Sequence, residues 1–515
     1  MHEVKEMYRK KVFEQIEMDI PFNVPLNEES KWVRLSKIMP WKEIEEKYAQ
    51  HFKGNEGQVA KSSRLAFGSL CIQASEGFTD VQTKTHIQEN PHMQFFCGFK
   101  EYRTEPPFDS SLMVHFRKRI PAEMLQEITA KLFADCVEET NDQTKAQEEM
   151  MACEEIEKSA NEETTGEEIT DEAVSKDEQK ASTCNKGTLL LDATCCPQDI
   201  HYPTDMRLLN IARETSEEIV DLLHKTIANK ENKKPRNYRE VAHKEYMAYV
   251  KQRKHTQKTT RKAIGKQLGY LNRNIRSIEK MFEEGANFSQ VPNALYKKWL
   301  VCAEVRRQQQ VMYDTHTHSI EGRIVSIGQP WLRPIVRGKD GIPVEFGAKV
   351  AIGLVNGYAF ITDMMWENFS EGKLLPQAIE QYKKTFGFYP ANVIGDKAYP
   401  TRENRAYCKS RGIRLSSPKP GRKSEDEIKK ERKQLYQDGC ERNAVEGKFG
   451  VCKRKFGLSL IMTKLSETSL TSIAMGFFVA NMERKLRILF DKNENCFLIY
   501  DFELACLKLL WEEQS

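Results

Sequence analysis

Apolar positions along the first 135 residues recur at helical spacing. In Trp41-Lys42-Glu43-Ile44-Glu45-Glu46-Lys47-Tyr48 they fall at i, i+3 and i+7, and Leu65 and Ile72 stand seven apart within residues 62–75. Each stretch would therefore turn one apolar face to a core. Asp80 to Glu89 reads as another helix, stopped at Asn90-Pro91 because proline disfavours helical backbone in the residue before it. Asp109 is placed to open a further helix, through Phe116, as its N-cap.

Beyond Gly187 the period changes. Gly187-Thr-Leu-Leu-Leu-Asp192-Ala-Thr-Cys-Cys-Pro197 is a short apolar run closed by proline, the pattern of a buried strand with Asp192 inside it. Helical spacing returns from about Arg213 to Tyr313. Strands are expected at 323–327, 344–355 and 357–364, the last two joined at Asn356-Gly357, a dipeptide suited to a two-residue hairpin turn. A helix over 374–386 leads to Ala391-Asn-Val-Ile-Gly-Asp396, a second apolar run ending on a carboxylate. A helix over 404–411, a strand over 413–415, a charged stretch over 419–434, a long helix from near Glu441 and a final helix over 468–489 complete the series. With the helical stretch in the middle set aside, this is the element order of an α/β, RNase H-like core: a mixed sheet flanked by helices, preceded by an α-helical domain and interrupted by an α-helical insertion.

Composition changes that picture in two places. The 515 residues suggest roughly three domains of about 150 residues, and no run approaches the ~20 apolar residues of a membrane span. The N-terminus mixes charges and lacks the apolar stretch of a secretory signal. Thirteen cysteines with no CxxC pair fit reduced thiols, so an intracellular, cytoplasmic protein without membrane contact is expected. Cys195 and Cys196 near His201 read as small residues ending a buried strand rather than as metal ligands. The formal charge of +4 averages over a strong asymmetry. Residues 138–178 hold sixteen acidic side chains against three basic ones, the composition of a flexible linker. Residues 230–280 hold sixteen Lys and Arg against four Glu, which points to a polyanionic partner. The chain thus divides into an N-terminal helical unit (1–136), an acidic linker (137–186), a core (187–212 and 316–490), a basic helical insertion (213–315) and a tail (491–515).

A carboxylate inside an apolar strand is costly unless it is paired or binds a metal. Asp192 and Asp396 are both of this kind. Glu446 supplies a third acid on a helix whose same face carries Arg442 at i−4 and Lys453 at i+7, so one acid and two bases would face one groove.

Arg442-x₃-Glu446-x₆-Lys453 resembles the signature around the last catalytic acid in DDE transposases of bacterial insertion sequences. That signature has a tyrosine three positions before the arginine, where this chain has Gly439, with Tyr436 the nearest tyrosine. Leu191-Asp192-Ala-Thr is similar to the strand of the first acid, and Ile394-Gly395-Asp396-Lys-Ala-Tyr399 to the second-acid motif. Glu89-Asn-Pro-His-Met-Gln-Phe-Phe-Cys-Gly-Phe99 and Pro107-Phe-Asp109-Ser-Ser-Leu-Met-Val-His-Phe-Arg117 resemble the helical domain that precedes the core in the insertion-sequence-five group.

The resemblance implies that Asp192, Asp396 and Glu446 hold two Mg²⁺ ions about 4 Å apart, for which Mn²⁺ can substitute, and catalyse DNA cleavage and strand transfer. Arg442, Lys453 and Lys397 would bind backbone phosphates of double-stranded DNA, both the element's terminal repeats and the target. A homodimer would act on the paired ends, with the N-terminal unit and the insertion reading the repeats. Trp331 and Trp366 are candidates for base stacking, with a core role favoured. So are Tyr238, Tyr246, Tyr249 and Tyr270 of the insertion, for which packing is favoured. Two other readings stay open at this point: an RNase H-like nuclease that cuts without joining, and a transposase-derived DNA-binding protein with no chemistry.

Overall fold

The computed structural model describes residues 25–52, 59–134, 185–227, 233–336, 344–418 and 421–512, with side chains to residue 490. The acidic run lies outside these residues. Seven helices before it are described: α1 (Lys31–Ile38), α2 (Trp41–Ala49), α3 (Ser63–Glu76), α4 (Asp80–Glu89), α5 (Pro91–Phe96), α6 (Leu112–Arg119) and α7 (Ala122–Leu132). Local chemistry sets their ends. Ser62 accepts a hydrogen bond from the Leu65 amide at the start of α3, and Thr79 and Gln82 form a reciprocal capping box on α4. Asn90 stops α4 and caps α5, accepting from the His92 amide at 2.9 Å. Asp109 departs from the expected cap: its carboxylate binds Ser111, in a turn two residues ahead, and α6 begins only at Leu112 without a side-chain cap.

These helices are set apart in the sequence but share a core with the C-terminal half of the chain. The final helix, α15 (Ser466–Glu512), buries Ile473, Met475, Phe477, Phe478 and Met482 within an apolar segment enclosed on all sides. It packs on α3, α6 and α7 on one side and on the strand β4 (Tyr358–Met365) on another. Phe67 of α3 meets Phe478 edge-on at 5.4 Å, and Phe133 stacks on Tyr358 at 4.5 Å. The apolar segment around 473–480 is thus the centre of the molecule's larger core. Among the described residues no helix is long and apolar enough to cross a membrane.

The sheet contains β1 (Thr188–Pro197), β2 (Pro334–Val336), β3 (Val344–Val355), β4, β5 (Asn392–Ile394) and β6 (Arg414–Leu415), in the order β2-β3-β1-β5-β6 with β4 also on β3. β1 and β4 run antiparallel to β3, whereas β5 runs parallel to both β1 and β6. Asn356 and Gly357 take positive φ between β3 and β4, as the hairpin turn demands. Helices α12 (Leu375–Phe386), α13 (Arg402–Ser410), α14 (Glu425–Lys455) and α15 flank the sheet. This mixed, helix-flanked sheet is compatible with an RNase H-like core.

Two expectations fail here for identifiable reasons. Residues 323–327 form no strand. Ile324, Val325 and Ile327 are buried, but the Ile324 amide donates to the Gln308 side chain at 2.9 Å instead of to a neighbouring strand. The stretch before Glu441 is not a charged lead-in but part of α14, which starts at Glu425 behind a Ser424–Glu427 capping box. Its first turns are exposed, so no apolar period marks them, yet Glu, Lys, Arg and Gln are good helix formers.

The insertion is helical: α8 (Asp205–Thr226), α9 (Arg239–Val250), α10 (Gln257–Glu283) and α11 (Asn293–Asp314) enclose a second core that includes Leu209, Ile219, Leu223, Leu271 and Val305. Tyr249 and Tyr270 pin α9 to α10 through Thr260 and Glu245, at 3.0 and 3.1 Å. Tyr246 packs against the same core. Tyr238 is exposed, flanked by the Arg236 and Arg273 guanidinium groups. Cys195 and Cys196 are buried at the end of β1, as expected of strand residues.

Candidate active site

β5 pairs with β1 over only three residues, ending at Leu190 opposite Ile394. Asp192 stands two residues past that pair on β1, and Asp396 two residues past it, just beyond the end of β5. Parallel strands advance equally per residue, so the register brings the two carboxylates to one level where β5 ends and β1 continues. Gly395 is required here, since a Cβ would lie 2.6 Å from the Tyr399 ring. The turn Asp396-Lys397-Ala398-Tyr399 is closed by the Tyr399 amide on the Asp396 carbonyl at 3.0 Å and the Lys397 amide on Oδ1 of Asp396 at 2.6 Å.

α14 brings the third acid. Its buried face, including Val445, Phe449 and Cys452, packs on β1. Asp438, also buried, is clamped by both terminal nitrogens of Arg414 on β6, each at 2.9 Å. Burial raises the Asp438 carboxyl, but hydrogen bonds from Arg414, Ser416 and Gln434 outweigh it and hold the group below its ordinary range. Farther along, Lys448 ties the helix to the hairpin through the Gly357 carbonyl and Asn481, at 3.2 and 2.9 Å. Burial pulls its ammonium down to about 8. Between these anchors Arg442 lies between two acids, with Nη1 3.2 Å from Asp396 and Nη2 3.4 Å from Glu446.

Asp192 sits less comfortably. Its Oδ1 accepts from the Ala193 amide at 2.8 Å, yet burial, and then the charges of Glu371 and Asp396, push its carboxyl above the ordinary range against the pull of Arg442. Tyr399, buried beside these groups, is raised strongly for the same reasons. A cleft that holds a carboxylate in this state is a candidate for function. Among the described residues no three histidine, cysteine, aspartate or glutamate side chains form a preformed ion site. The donor set nevertheless fits a hard divalent ion, because it is all carboxylate oxygen and it already accepts a cation, the Arg442 guanidinium, between Asp396 and Glu446.

Of the residues singled out in the sequence, Asp192, Asp396, Glu446 and Arg442 come together. Lys453 lies farther along the same face of α14, half-buried, and Lys397 is exposed in the Asp396 turn. Tyr436 is exposed on α14 upstream of Gly439, where open space surrounds the glycine. Trp366 donates to Ser466 at 2.8 Å and meets Trp331 edge-on at 6.4 Å, a packing arrangement. Sequence reasoning missed Glu371, Lys349 and Asn404. Glu371 belongs to a 3₁₀ turn too short to show a period.

A family model described as a transposase DDE domain matches residues 393–483, which include Asp396, Arg442, Glu446 and Lys453. A second, described as a transposase domain (DUF772), matches residues 22–119, from before α1 to the end of α6. Together these matches support a DDE transposase of insertion sequences. Asp192, on the other side of the insertion, lies outside both transposase matches. A curated relative, the uncharacterized protein ORF8 in the nfe locus of Rhizobium meliloti, is 32% identical over 103 residues, 20% of this chain. The chain spans about half the length of that relative, 49%. No solved structure matches this transposase.

Proposed function

We propose that this transposase cleaves DNA at the ends of its element and joins them to a target, with Asp192, Asp396 and Glu446 holding two divalent ions, Mg²⁺ or Mn²⁺. When bound, such ions polarise the scissile phosphate and lower the pKa of the attacking hydroxyl group. The observation that carries the reading is the register that brings Asp192, within β1, level with Asp396, just beyond β5, with Arg442 linking Asp396 to Glu446 on the helix packed across β1.

The chain's own residues then have distinct tasks. The Asp396 turn, closed on itself and backed by Tyr399, fixes one carboxylate; β1 fixes another against β3; α14, pinned by Asp438 and Lys448, fixes the third. Arg442 bears the charge of Asp396 and Glu446 and can turn a nitrogen to a backbone phosphate. Lys453 and Lys397 extend that contact along the duplex without reading its sequence. Water displaces one oxygen at phosphorus and leaves a 3′-OH, and that hydroxyl in turn displaces an oxygen of a target phosphate, so each step forms one P–O bond and breaks one. The exposed Lys and Arg of the insertion add affinity by releasing counterions from the duplex. Two copies of the chain act on two terminal repeats in the cytoplasm.

The test is Mg²⁺-dependent cleavage and joining of a labelled duplex carrying the element's own terminal repeats, with the wild-type chain, Asp192→Asn, Asp396→Asn and Glu446→Gln. Joined product from the wild type alone, with DNA binding kept in all four, is expected. Cleavage without joining would make the protein a nuclease. Binding without either would leave a DNA-binding protein.

A further inference from the structure

The cleft contains a fourth acid that neither the signature nor the sequence pattern marks. Glu371 opens a short turn between β4 and α12 and is 20% exposed, with Oε1 2.9 Å from Nζ of Lys349, itself 13% exposed. Lys349 also donates to the Phe369 carbonyl at 2.8 Å and to Asn368 at 3.2 Å, so it is fixed in place. Oε2 of Glu371 accepts no hydrogen bond among the described residues.

The turn that carries Glu371 lies between Lys349 of β3 and the Asp396 turn. Lys349 stands opposite Cys195 of β1. On the other side, Gly372 rests on the Asp396 turn so closely that a Cβ would lie 2.5 Å from the Ala398 carbonyl oxygen. The buried Asn404 amide then locks the two turns together, donating at 2.7 Å to the carbonyls of both Gly372 and Tyr399. Of the four carboxylates, Asp396 and Glu446 share Arg442 and Glu371 pairs with Lys349, while Asp192 forms no ion pair among the described residues. Such an excess of negative charge in a partly buried cleft calls for a further cation.

We infer that Glu371 is a member of the ion-binding set with Asp192, Asp396 and Glu446, held in position by Lys349 and by the Asn404 lock. This rests on the metal-dependent reading proposed above. The bland alternative is that Glu371 only pairs with Lys349 to secure the turn. The two differ in what removal of the carboxylate does: a structural partner costs stability, whereas a ligand costs cation affinity.

The measurement is Mn²⁺ uptake by the full chain, followed as loss of the free-ion paramagnetic resonance signal, for the wild type, Asp192→Asn, Glu371→Gln, Glu371→Asp and the exposed neighbour Glu367→Gln. Circular dichroism serves as the check on folding. Glu371→Gln is expected to weaken binding about tenfold or more, an effect of the size that even an outer-shell partner of a metal produces. Glu371→Asp should recover part of it and Glu367→Gln should match the wild type. If Glu371→Gln leaves Lys349 stranded and does not fold, the double variant Lys349→Gln, Glu371→Gln removes both charges and is read in the same way. Unchanged Mn²⁺ affinity in Glu371→Gln or the double variant, alongside weakened affinity in Asp192→Asn, overturns the inference and leaves the proposed function standing. No uptake by the wild type overturns both.

Discussion

In the insertion, Arg213 and Glu217 are almost completely buried and each has its counter-charge: Arg213 reaches Glu217, Glu214 and Asn210, and Arg239 bridges Glu217 and Asp221 at 3.2 and 2.9 Å. In the cleft, Asp192 is only half-buried but lies among Glu371 and Asp396, and its carboxyl is raised. Asp221 shows the opposite balance, since burial raises it and the hydrogen bonds of Lys234 and Arg239 more than reverse the effect. The contrast separates two uses of charge. A network neutralised from within holds helices together, whereas a cleft carboxylate held above its ordinary range is a candidate for ligand binding.

Substitutions can break the contrast from either side. The largest expected effect is on chemistry: Asp396→Asn lowers strand transfer by ~10⁴-fold, roughly 5 kcal/mol at the barrier, with the urea midpoint of unfolding little changed. A matching drop in the midpoint would mean that the cleft is structural after all. Next, Arg213→Ala strands the buried Glu217 and is expected to destabilise the insertion by about 3–5 kcal/mol, seen in urea melts and in faster amide exchange of α8. A cost below about 1 kcal/mol would show that the network contributes little.

Two further variants sharpen the comparison through pH. Asp438, whose carboxyl is held low, stabilises the fold above its unfolded pKa, and that contribution is lost as pH falls through the lower folded value, below 3.8. Asp438→Asn should therefore cost about 2 kcal/mol at neutral pH, with the gap to the wild type closing in acid. Asp192 has the reverse sign: its raised carboxyl favours the protonated fold, so stability is greatest below the unfolded pKa and falls as pH rises through the folded value. Asp192→Asn is thus expected to melt slightly higher than the wild type at neutral pH, by about 1 kcal/mol or less, and to converge with it in acid. A neutral-pH loss of stability in Asp192→Asn would sink the view that this carboxylate is held against its preference.

Much of the fold and of the cleft was legible in the sequence, and the exceptions obey a rule. Helix caps, the Asn356-Gly357 turn and the apolar runs around Asp192 and Asp396 were readable because each is decided by neighbours within a few residues. Residues 323–327 were misread as a strand because a buried apolar run does not reveal where its amides bond, and here the partner is the side chain of Gln308 on α11. The first turns of α14 were missed because they pack on nothing that would impose a period.

The sequence by itself determined the apolar runs that lead to Asp192 and Asp396 and the helix face shared by Arg442, Glu446 and Lys453, since all of these are properties of local spacing. Only the tertiary structure decided which acids meet. The parallel pairing of β1 with β5 joins residues more than 200 positions apart, the Asn404 lock brings Glu371 to the Asp396 turn, and α15 merges the N-terminal helices with the sheet. Such contacts depend on packing across the whole chain, where charge is felt through space rather than along the backbone, so no local pattern records them.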